Sequence, residues 1–274
     1  CPPPGEVVAP LGTMLRNLWR YRSFVLGMAS REFQARYLGS VLGSVWAVLH
    51  PLTLVFIYTV VFGQLMKSRV PGIDDAVGYG VFLCAGIFTW SAFTEILQRS
   101  VTVFLENGNL LKKMSFPRVA LPAIVLASAL VNFAIVFSVL LLLLLLAGRF
   151  PGWPVLGLLP LLAVQQALAL GIGTALGVVN VFFRDVAHLL AIALQLWFWF
   201  TPIVYPISIL GERMQTLVHL NPMTDLVAGY QGILLHGAWP TWHAWLPQAI
   251  LAVLALAFAR ALFRRLSGEL ADHL

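Results

Sequence analysis

Long apolar stretches alternate with short polar joints along most of this chain. Six stretches are interpreted as membrane spans, because a helix needs about 20 apolar residues to cross roughly 30 Å of hydrocarbon. In chain order, the predicted spans cover residues 41–65, 77–98, 119–147, 155–183, 186–205 and 245–262. The pattern predicts an all-α integral membrane protein whose residues 38–265 form one domain of six transmembrane helices.

Residues 13–37, before the first span, have an amphipathic pattern that predicts a helix lying in the membrane interface. Basic and small polar residues lie opposite a narrow apolar stripe. The stripe consists of Met14, Leu18, Tyr21, Val25 and Met28. Glu32 breaks the pattern, as do Arg22 and Phe24.

Residues 206–240, before the last span, are apolar only in patches and are interrupted by Pro206, Gly211 and Asn221–Pro222. They are too broken for an ordinary span and too apolar for a solvated loop. We expect short helices that dip into the edge of the bilayer, with their broken backbone covered by protein or water.

The charge distribution predicts an orientation. Of the 17 Lys and Arg residues, 13 fall on one side of the predicted spans, and the positive-inside rule places that side in the cytoplasm. Both termini are then cytoplasmic, with a Pro-rich disordered tail at residues 1–12 and a short tail at residues 266–274. The net charge of +6 does not indicate a nucleic-acid partner, because the basic residues lie in short joints between apolar spans.

No motif for chemistry within the chain is present. The sequence contains no G-x-x-x-x-G-K-[ST] phosphate loop, no H-E-x-x-H, no paired-cysteine spacing and no G-x-S-x-G, so we expect no catalytic residue and no metal site. If ATP drives this protein, a second chain must bind it.

Two basic joints carry candidate contact residues. Residues 106–117 are predicted to form a short helix that ends at Phe116–Pro117, since proline disfavours helix in the preceding residue. A basic loop obeying the positive-inside rule would explain Lys112 and Lys113, but exposed leucines at 110 and 111 are costly unless they meet the membrane or a partner. In the second joint, Arg184 and Asp185 lie at a tight turn, where a local ion pair is the alternative.

Aromatic and small residues within the spans carry further candidates. Trp197, Phe198 and Trp199 lie in an aromatic run that cannot all face one way on a helix, so some rings face neighbouring helices and others a lumen or the lipid. Additional candidate lumen aromatics are Tyr58, Phe62, Phe88, Trp90 and Phe93. Glu95 and Arg99, spaced i,i+4, have either a functional or a paired structural role.

Two G-x-x-x-G motifs, Gly39–Gly43 and Gly173–Gly177, favour close helix packing within the chain over a dimer contact.

The order of these segments resembles a known family. Five segments are similar to segments of the permease subunit of ABC transporters that export polysaccharides such as O-antigen, capsule or teichoic acid. In chain order, they are RYLGSVLGSVWAVLHPL, LLKKMSFPRVALP, FFRDV, FTPIVYP and HLNPMTDLVAGYQGILLHG. The similarity covers about residues 15–265. The form SREFQARY before the first span favours O-antigen export in a Gram-negative inner membrane.

The resemblance implies a homodimer with two copies of an ABC ATPase subunit that binds ATP and Mg, and it implies no cofactor in this chain. The interfacial helix and the short helix at residues 106–117 would dock on the ATPase, and residues 206–240 would form short re-entrant helices that gate the outer side. The implied coupling residues are Asn107, Leu110, Leu111, Lys112, Lys113, Phe116, Pro117, Arg184 and Asp185.

The implied substrate is a glycan on an undecaprenyl-pyrophosphate carrier, whose sugars would pass an aromatic-lined channel. Arg16, Arg20, Arg31 and Arg36 would attract the pyrophosphate at a lateral entry, since guanidinium groups match phosphate oxygens, although anionic membrane lipids explain them nearly as well. The alternatives are an ABC exporter for drugs or bare lipids and, from another class, a membrane-embedded enzyme or scaffold without an ATPase.

Overall fold

The computed structural model describes residues 22–37, 40, 42–65, 75–108, 120–266 and 269, and within these ranges every regular element is helical. The helices are α1 (Arg22–Tyr37), α2 (Trp46–Ile57), α3 (Ala76–Glu106), α4 (Ala120–Leu146), α5 (Leu158–Phe182), α6 (Val186–Trp199), α7 (Glu212–His219), α8 (Pro222–His236) and α9 (Trp242–Leu266). A π-helical turn, Tyr58–Leu65, continues α2. The all-helical prediction is confirmed for the part of the chain that the structure describes.

Four segments are long and apolar enough to cross a membrane. They are Val77–Glu106, Ala120–Leu146, Trp153–Phe182 and Trp242–Leu266. They match the second, third, fourth and sixth predicted spans. The count of six is not confirmed, because the first and fifth predicted spans contain only the shorter apolar helices Trp46–Val61 and Val186–Trp199.

The predicted fifth span is too long at its end. α6 stops at Trp199 instead of Tyr205, and its 14 residues span about 21 Å at 1.5 Å per residue. Pro202 explains the stop, because proline disfavours helical conformation in the residue before it.

The second predicted span is too short. α3 continues past Gln98 to Glu106, since Val103 and Phe104 are buried in a cluster with Val181 of α5 and Phe263 of α9. Glu106 therefore belongs to α3, and Asn107 ends that helix by donating from its side-chain amide to the carbonyl of Val103 at 2.9 Å. The rest of the short helix predicted at 106–117 lies outside the described residues beyond position 108.

The long helices share two common ends. At the basic end, which carries Arg184, Arg260, Arg264 and Arg265, the rings of Phe104 and Phe263 lie 5.8 Å apart. The opposite, aromatic end carries Trp153, Trp239, Trp242 and Trp245. There Arg149 and Asp75 form a 2.8 Å ion pair.

α3 lies at the centre of the bundle. Phe93, Ile96 and Leu97 are fully buried on it, and it packs against α4, α5 and α8. The closest approach is to α5, where a Cβ on Gly173 would lie 2.7 Å from Ser100 Cβ and a Cβ on Gly177 would lie 2.3 Å from the Ser100 carbonyl oxygen. This G-x-x-x-G motif therefore packs helices within the chain, as predicted.

The other G-x-x-x-G motif is different. Gly43 has a φ of 50° and begins a 3₁₀ turn, Gly43–Val45, before α2. A positive φ favours glycine for conformational reasons, and a Cβ at Gly43 would meet nothing within 4 Å. Gly39 lies outside the described residues, so the prediction of helix packing through this motif is not supported at Gly43.

Residues 206–240 contain the two short helices α7 and α8. Asn221 caps α8, Pro222 occupies its first turn and Gly237 ends it in the left-handed conformation, as helix start and stop signals predict. Tyr230 on α8 is fully buried, with its ring 5.6 Å from that of Phe137 on α4. α8 is therefore covered by protein, whereas α7 is exposed along most of its length, and the re-entrant arrangement of this segment stays a prediction.

Candidate functional site

Four of the predicted lumen aromatics form one cluster between α3 and α6. The ring of Trp197 lies 5.4 Å from that of Phe93 and 6.0 Å from that of Trp90, in edge-to-face geometry. Phe198 lies 5.9 Å from Trp90. Phe93 is 0% exposed and Trp90 is also buried, so within one chain these rings mainly contact each other.

The remaining predicted aromatics have different surroundings. Trp199 is 62% exposed, and its ring lies 5.4 Å from that of Phe198, at the edge of this cluster. Tyr58 is half-buried, and the side chain of Phe62 lies outside the described part. Phe88 is buried but lines a groove, described below.

Trp197 connects this cluster to α8. Its indole N–H donates to Asn221 Oδ1 at 2.8 Å. The same oxygen accepts from the backbone N–H of Met223 at 3.0 Å, and the Asn221 amide donates to Thr201 Oγ1 at 2.8 Å. One asparagine thus joins the end of α6, the bend after it and the start of α8.

A second polar contact joins the short helices to α9. His219 Nδ1 lies 2.8 Å from Asp225 Oδ1, and Gln248 Nε2 donates to Asp225 Oδ2 at 2.8 Å. Asp225 therefore bridges α7, α8 and α9.

A polar network lies nearer the basic end. Arg99 on α3 contacts Glu32 on α1 in an ion pair, and its Nη1 lies 3.6 Å from Glu95 Oε1, one turn earlier. Asn132 on α4 donates to Glu95 Oε2 at 2.8 Å. The predicted Glu95–Arg99 pair is present, and the structure adds the two partners on other helices.

A groove of about 350 Å³ opens beside this network, between α2, α3 and α4. Its polar lining groups are His50, Ser91 and Asn132, and its rings include Trp46, Phe88 and Phe133. Asn132 belongs to both the groove wall and the network.

α1 lies against the bundle through its predicted apolar stripe. Val25 and Ala29 are buried, and Val25 packs in the cluster that contains Ile124 and Phe263. The opposite face carries exposed Ser30, Arg31 and Gln34. Of the predicted entry arginines, Arg31 is therefore exposed, whereas Arg16, Arg20 and the side chain of Arg36 lie outside the described residues.

Most of the predicted coupling residues also lie outside the described part: Leu110, Leu111, Lys112, Lys113, Phe116 and Pro117. Arg184 and Asp185 are exposed in the turn between α5 and α6. Asn180 holds this turn, because its amide donates to the Val101 carbonyl at 3.0 Å and its oxygen accepts from the Ala187 N–H at 3.2 Å.

Sequence reasoning missed three polar residues that organise these contacts. Glu32 was visible only as a break in the amphipathic pattern of α1, and its partner Arg99 explains that break. Asn221 precedes a proline, a recognisable helix-start signal, but the sequence does not reveal its contact with Trp197. Asn132 has no local signal, since a single amide in an apolar span has no partner visible in the sequence.

The helices and buried contacts together define a multi-pass α-helical membrane protein with a central helix, α3, and polar links from it to the outlying helix α1. The model of the ABC-2 type transporter family matches residues 24–235, and the chain belongs to that family.

Curated relatives span most of the chain. It is 28% identical over 263 residues to the O-antigen export system permease protein RfbA of Myxococcus xanthus, covering 95% of this chain and 99% of the relative. An RfbA of the same description from Klebsiella pneumoniae is 26% identical over 82% of this chain and 85% of its own. The polysialic acid transport protein KpsM of Escherichia coli is 27% identical over 72% of this chain and 75% of its own.

Proposed function

We propose that this chain is the transmembrane permease subunit of an ABC transporter that exports a polysaccharide, most specifically an O-antigen linked to undecaprenyl pyrophosphate, across the bacterial inner membrane. The observation that carries the proposal is the end-to-end similarity to the Myxococcus xanthus O-antigen export permease. ATP hydrolysis in two copies of a partner ATPase supplies the energy. The absence of a phosphate loop from this sequence is consistent with that division of labour.

The proposed complex contains two copies of this chain with both termini in the cytoplasm. An outward-facing polar residue in an apolar helix supports the dimer. Gln195 is exposed on α6, about 14 Å from the start of the helix at 1.5 Å per residue, and an exposed amide is costly in hydrocarbon. A second copy or a water-filled lumen would solvate it.

Trp199 supports a lumen on the same face. It follows Gln195 by four residues, which places both side chains on one side of a helix. An exposed ring beside an exposed amide matches a surface that stacks on sugar rings while donating hydrogen bonds. We propose that Trp199 lines the glycan path directly, whereas Trp90, Phe93 and Trp197 form the wall behind it.

α1 is proposed to dock on the ATPase, because its inner face is packed on α4 and its outer face is polar and exposed. Arg31 on that outer face is proposed to attract the substrate pyrophosphate, together with Arg16, Arg20 and Arg36. The joint at residues 107–117 and the turn at Arg184–Asp185 complete the proposed docking surface at the basic end.

The test is transport in proteoliposomes containing this chain and its co-purified ATPase. The probe is undecaprenyl pyrophosphate carrying a labelled O-antigen oligosaccharide, with undecaprenyl pyrophosphate as the sugar-free control. ATP-dependent movement of the glycan-linked probe, abolished by a hydrolysis-deficient ATPase, is expected. Movement of the sugar-free lipid alone would instead favour a lipid exporter, and a chain that binds no ATPase would overturn the proposal.

A further inference from the structure

Arg99 occupies an unusual position between two carboxylates on different helices. Its Nη2 contacts Glu32 of α1, and its Nη1 faces Glu95 of its own helix at 3.6 Å. The contact with Glu32 is a hydrogen-bonded ion pair, whereas Nη1 makes no hydrogen bond among the described residues and attracts Glu95 by charge alone. Asn132 of α4 then donates to the far oxygen of Glu95 at 2.8 Å.

The charged groups of this network are largely buried, so losing a partner is energetically costly. The Arg99 side chain is 25% exposed and that of Glu95 is 16% exposed. Glu95 lies eleven residues before the end of α3, about 16 Å into the bundle. A carboxylate at this depth is strongly disfavoured when its partners leave, because an unpaired charge in a medium of low polarity is not solvated.

The network is connected to a movable surface at one end and to a groove at the other. α1 carries Glu32 and is attached to the bundle through the buried Val25 and Ala29, while its outer face is exposed. Asn132, at the other end, lines the groove between α2, α3 and α4. A shift of α1 that pulls Glu32 from Arg99 therefore changes the partners of Glu95 and, through it, those of Asn132.

We infer that Arg99 is a positioning residue that transmits movement of α1 to the groove between α2 and α4. When the ATPase moves α1, the guanidinium group loses or regains Glu32, and the Glu95–Asn132 contact adjusts with it. The relay requires the ion pair between Glu32 and Arg99, so the loss of either partner is expected to disable it. This inference rests on the proposed function, since it assigns the force on α1 to the ATPase.

The first test is a double-mutant cycle in the full complex. Glu32→Gln and Arg99→Gln are each expected to lower the number of glycans moved per ATP hydrolysed by at least fivefold, which is about the lower limit of typical coupling between sites. The double variant Glu32→Gln/Arg99→Gln is expected to lower that ratio no further than Arg99→Gln alone, because both changes remove the same contact. Gln98→Glu places a carboxylate at the neighbouring exposed position of α3 and is the matched control, expected to leave the ratio unchanged.

The second test does not require the glycan. Spin labels at two exposed positions, Thr53 of α2 and Ser138 of α4, report the separation of these helices with and without ATP, in a background lacking the two native cysteines. A nucleotide-dependent change in wild type is expected, and it should be reduced in both single variants and no further reduced in the double variant than in Arg99→Gln.

The outcomes separate the two ideas. If wild type exports the glycan and all variants assemble but the losses of the two single variants add in the double variant, the relay is wrong and the exporter proposal stands. If wild type moves no glycan but the distance change is lost together with the Glu32–Arg99 contact, the relay stands and the assigned substrate is wrong. An identical distance change in wild type and in the single variants would overturn the relay.

Discussion

The indole N–H of Trp197 donates a 2.8 Å hydrogen bond to the side-chain oxygen of Asn221. These residues are 24 positions apart and join the end of α6 to the first turn of α8. Asn221 also accepts from the Met223 N–H, so the residue that starts α8 is the residue that holds Trp197. This hydrogen bond therefore connects the aromatic cluster directly to the start of α8.

Asn221→Ala is expected to destabilise the protein by about 2 kcal/mol, because it removes both a helix N-cap and the acceptor of Trp197. Trp197→Phe keeps a ring against Phe93 and removes the N–H, and is expected to cost about 1 kcal/mol. Unfolding in detergent measures both. The double variant should cost less than the sum of the single losses, as expected for two residues in contact, and strict additivity would contradict the shared hydrogen bond.

Trp199→Ala is the informative variant for glycan passage. Trp197 and Trp199 are both candidate lumen aromatics in the sequence. The structure distinguishes them: Trp197 is packed and hydrogen-bonded, so its loss is expected to cost about 3 kcal/mol, whereas Trp199 is exposed and its loss should stay within about 0.5 kcal/mol.

Export assays in proteoliposomes check the functional half of this prediction. Trp199→Ala should slow the glycan-linked probe severalfold with unchanged ATPase binding. Trp153→Ala, which removes an exposed indole at the aromatic end, is the control. Equal slowing by both variants would indicate that any exposed tryptophan matters and that Trp199 has no special position.

Gly177→Ala is expected to weaken the packing of α3 on α5. The added Cβ would lie 2.3 Å from a backbone oxygen, which cannot move without shifting α3. We expect a loss of about 2 kcal/mol or more, in the range of overpacked cores, seen as a lower midpoint of thermal unfolding. Gly232→Ala on α8 is the matched control, because a Cβ there meets nothing within 4 Å. Alanine favours helix over glycine by about 1 kcal/mol, so the control should not lose stability.

The Asp75–Arg149 pair predicts a pH effect at the aromatic end. Burial alone would raise the pKa of Asp75, but hydrogen bonds from Arg149 and from the Gly78 N–H lower it on balance. A carboxyl group with a lowered pKa stabilises the fold above its unfolded-state pKa, about 4, and the contribution is lost as the pH falls through the folded-state pKa.

Asp75→Asn keeps an N-cap acceptor for α3 but removes the charge. It should be less stable than wild type at pH 7, by no more than about 1 kcal/mol for an exposed pair. The difference should shrink below about pH 4. Unfolding of wild type, Asp75→Asn and Arg149→Gln at pH 7 and at pH 3.5 checks this. A gap between wild type and Asp75→Asn that is unchanged at low pH would contradict the assignment.

Leu111→Asp and Lys112→Glu test the joint that follows α3. Both residues lie outside the described part of the chain, so this prediction rests on the sequence: an apolar pair within a short basic joint favours a partner contact. Each variant should insert normally while ATP hydrolysis no longer drives export. Normal export by both variants would remove the joint from the docking surface.

Local patterns predicted much of the helical architecture. Runs of apolar residues located the four long helices, and most of the predicted helix ends lie within a few residues of the observed ones. This is because the length of a membrane-crossing helix is set by hydrocarbon thickness. The Asn221–Pro222 and Gly237 signals are local too, and they bound α8 because capping depends on neighbouring backbone groups. The family resemblance rested on the order of such segments, and the ABC-2 match confirms it.

The sequence alone determined that this is a helical membrane protein of a recognisable transporter type. The lengths of the apolar runs, the bias of basic residues to one side and the order of the segments can all be read directly along the chain. Only the tertiary structure decided which polar and aromatic groups meet. Glu32 reaches Arg99 across 67 positions, and Trp197 faces Phe93 across more than 100 positions. Such contacts depend on how helices cross and rotate against one another, and that geometry is set by the packing of the whole bundle, including the close approach at Gly173 and Gly177.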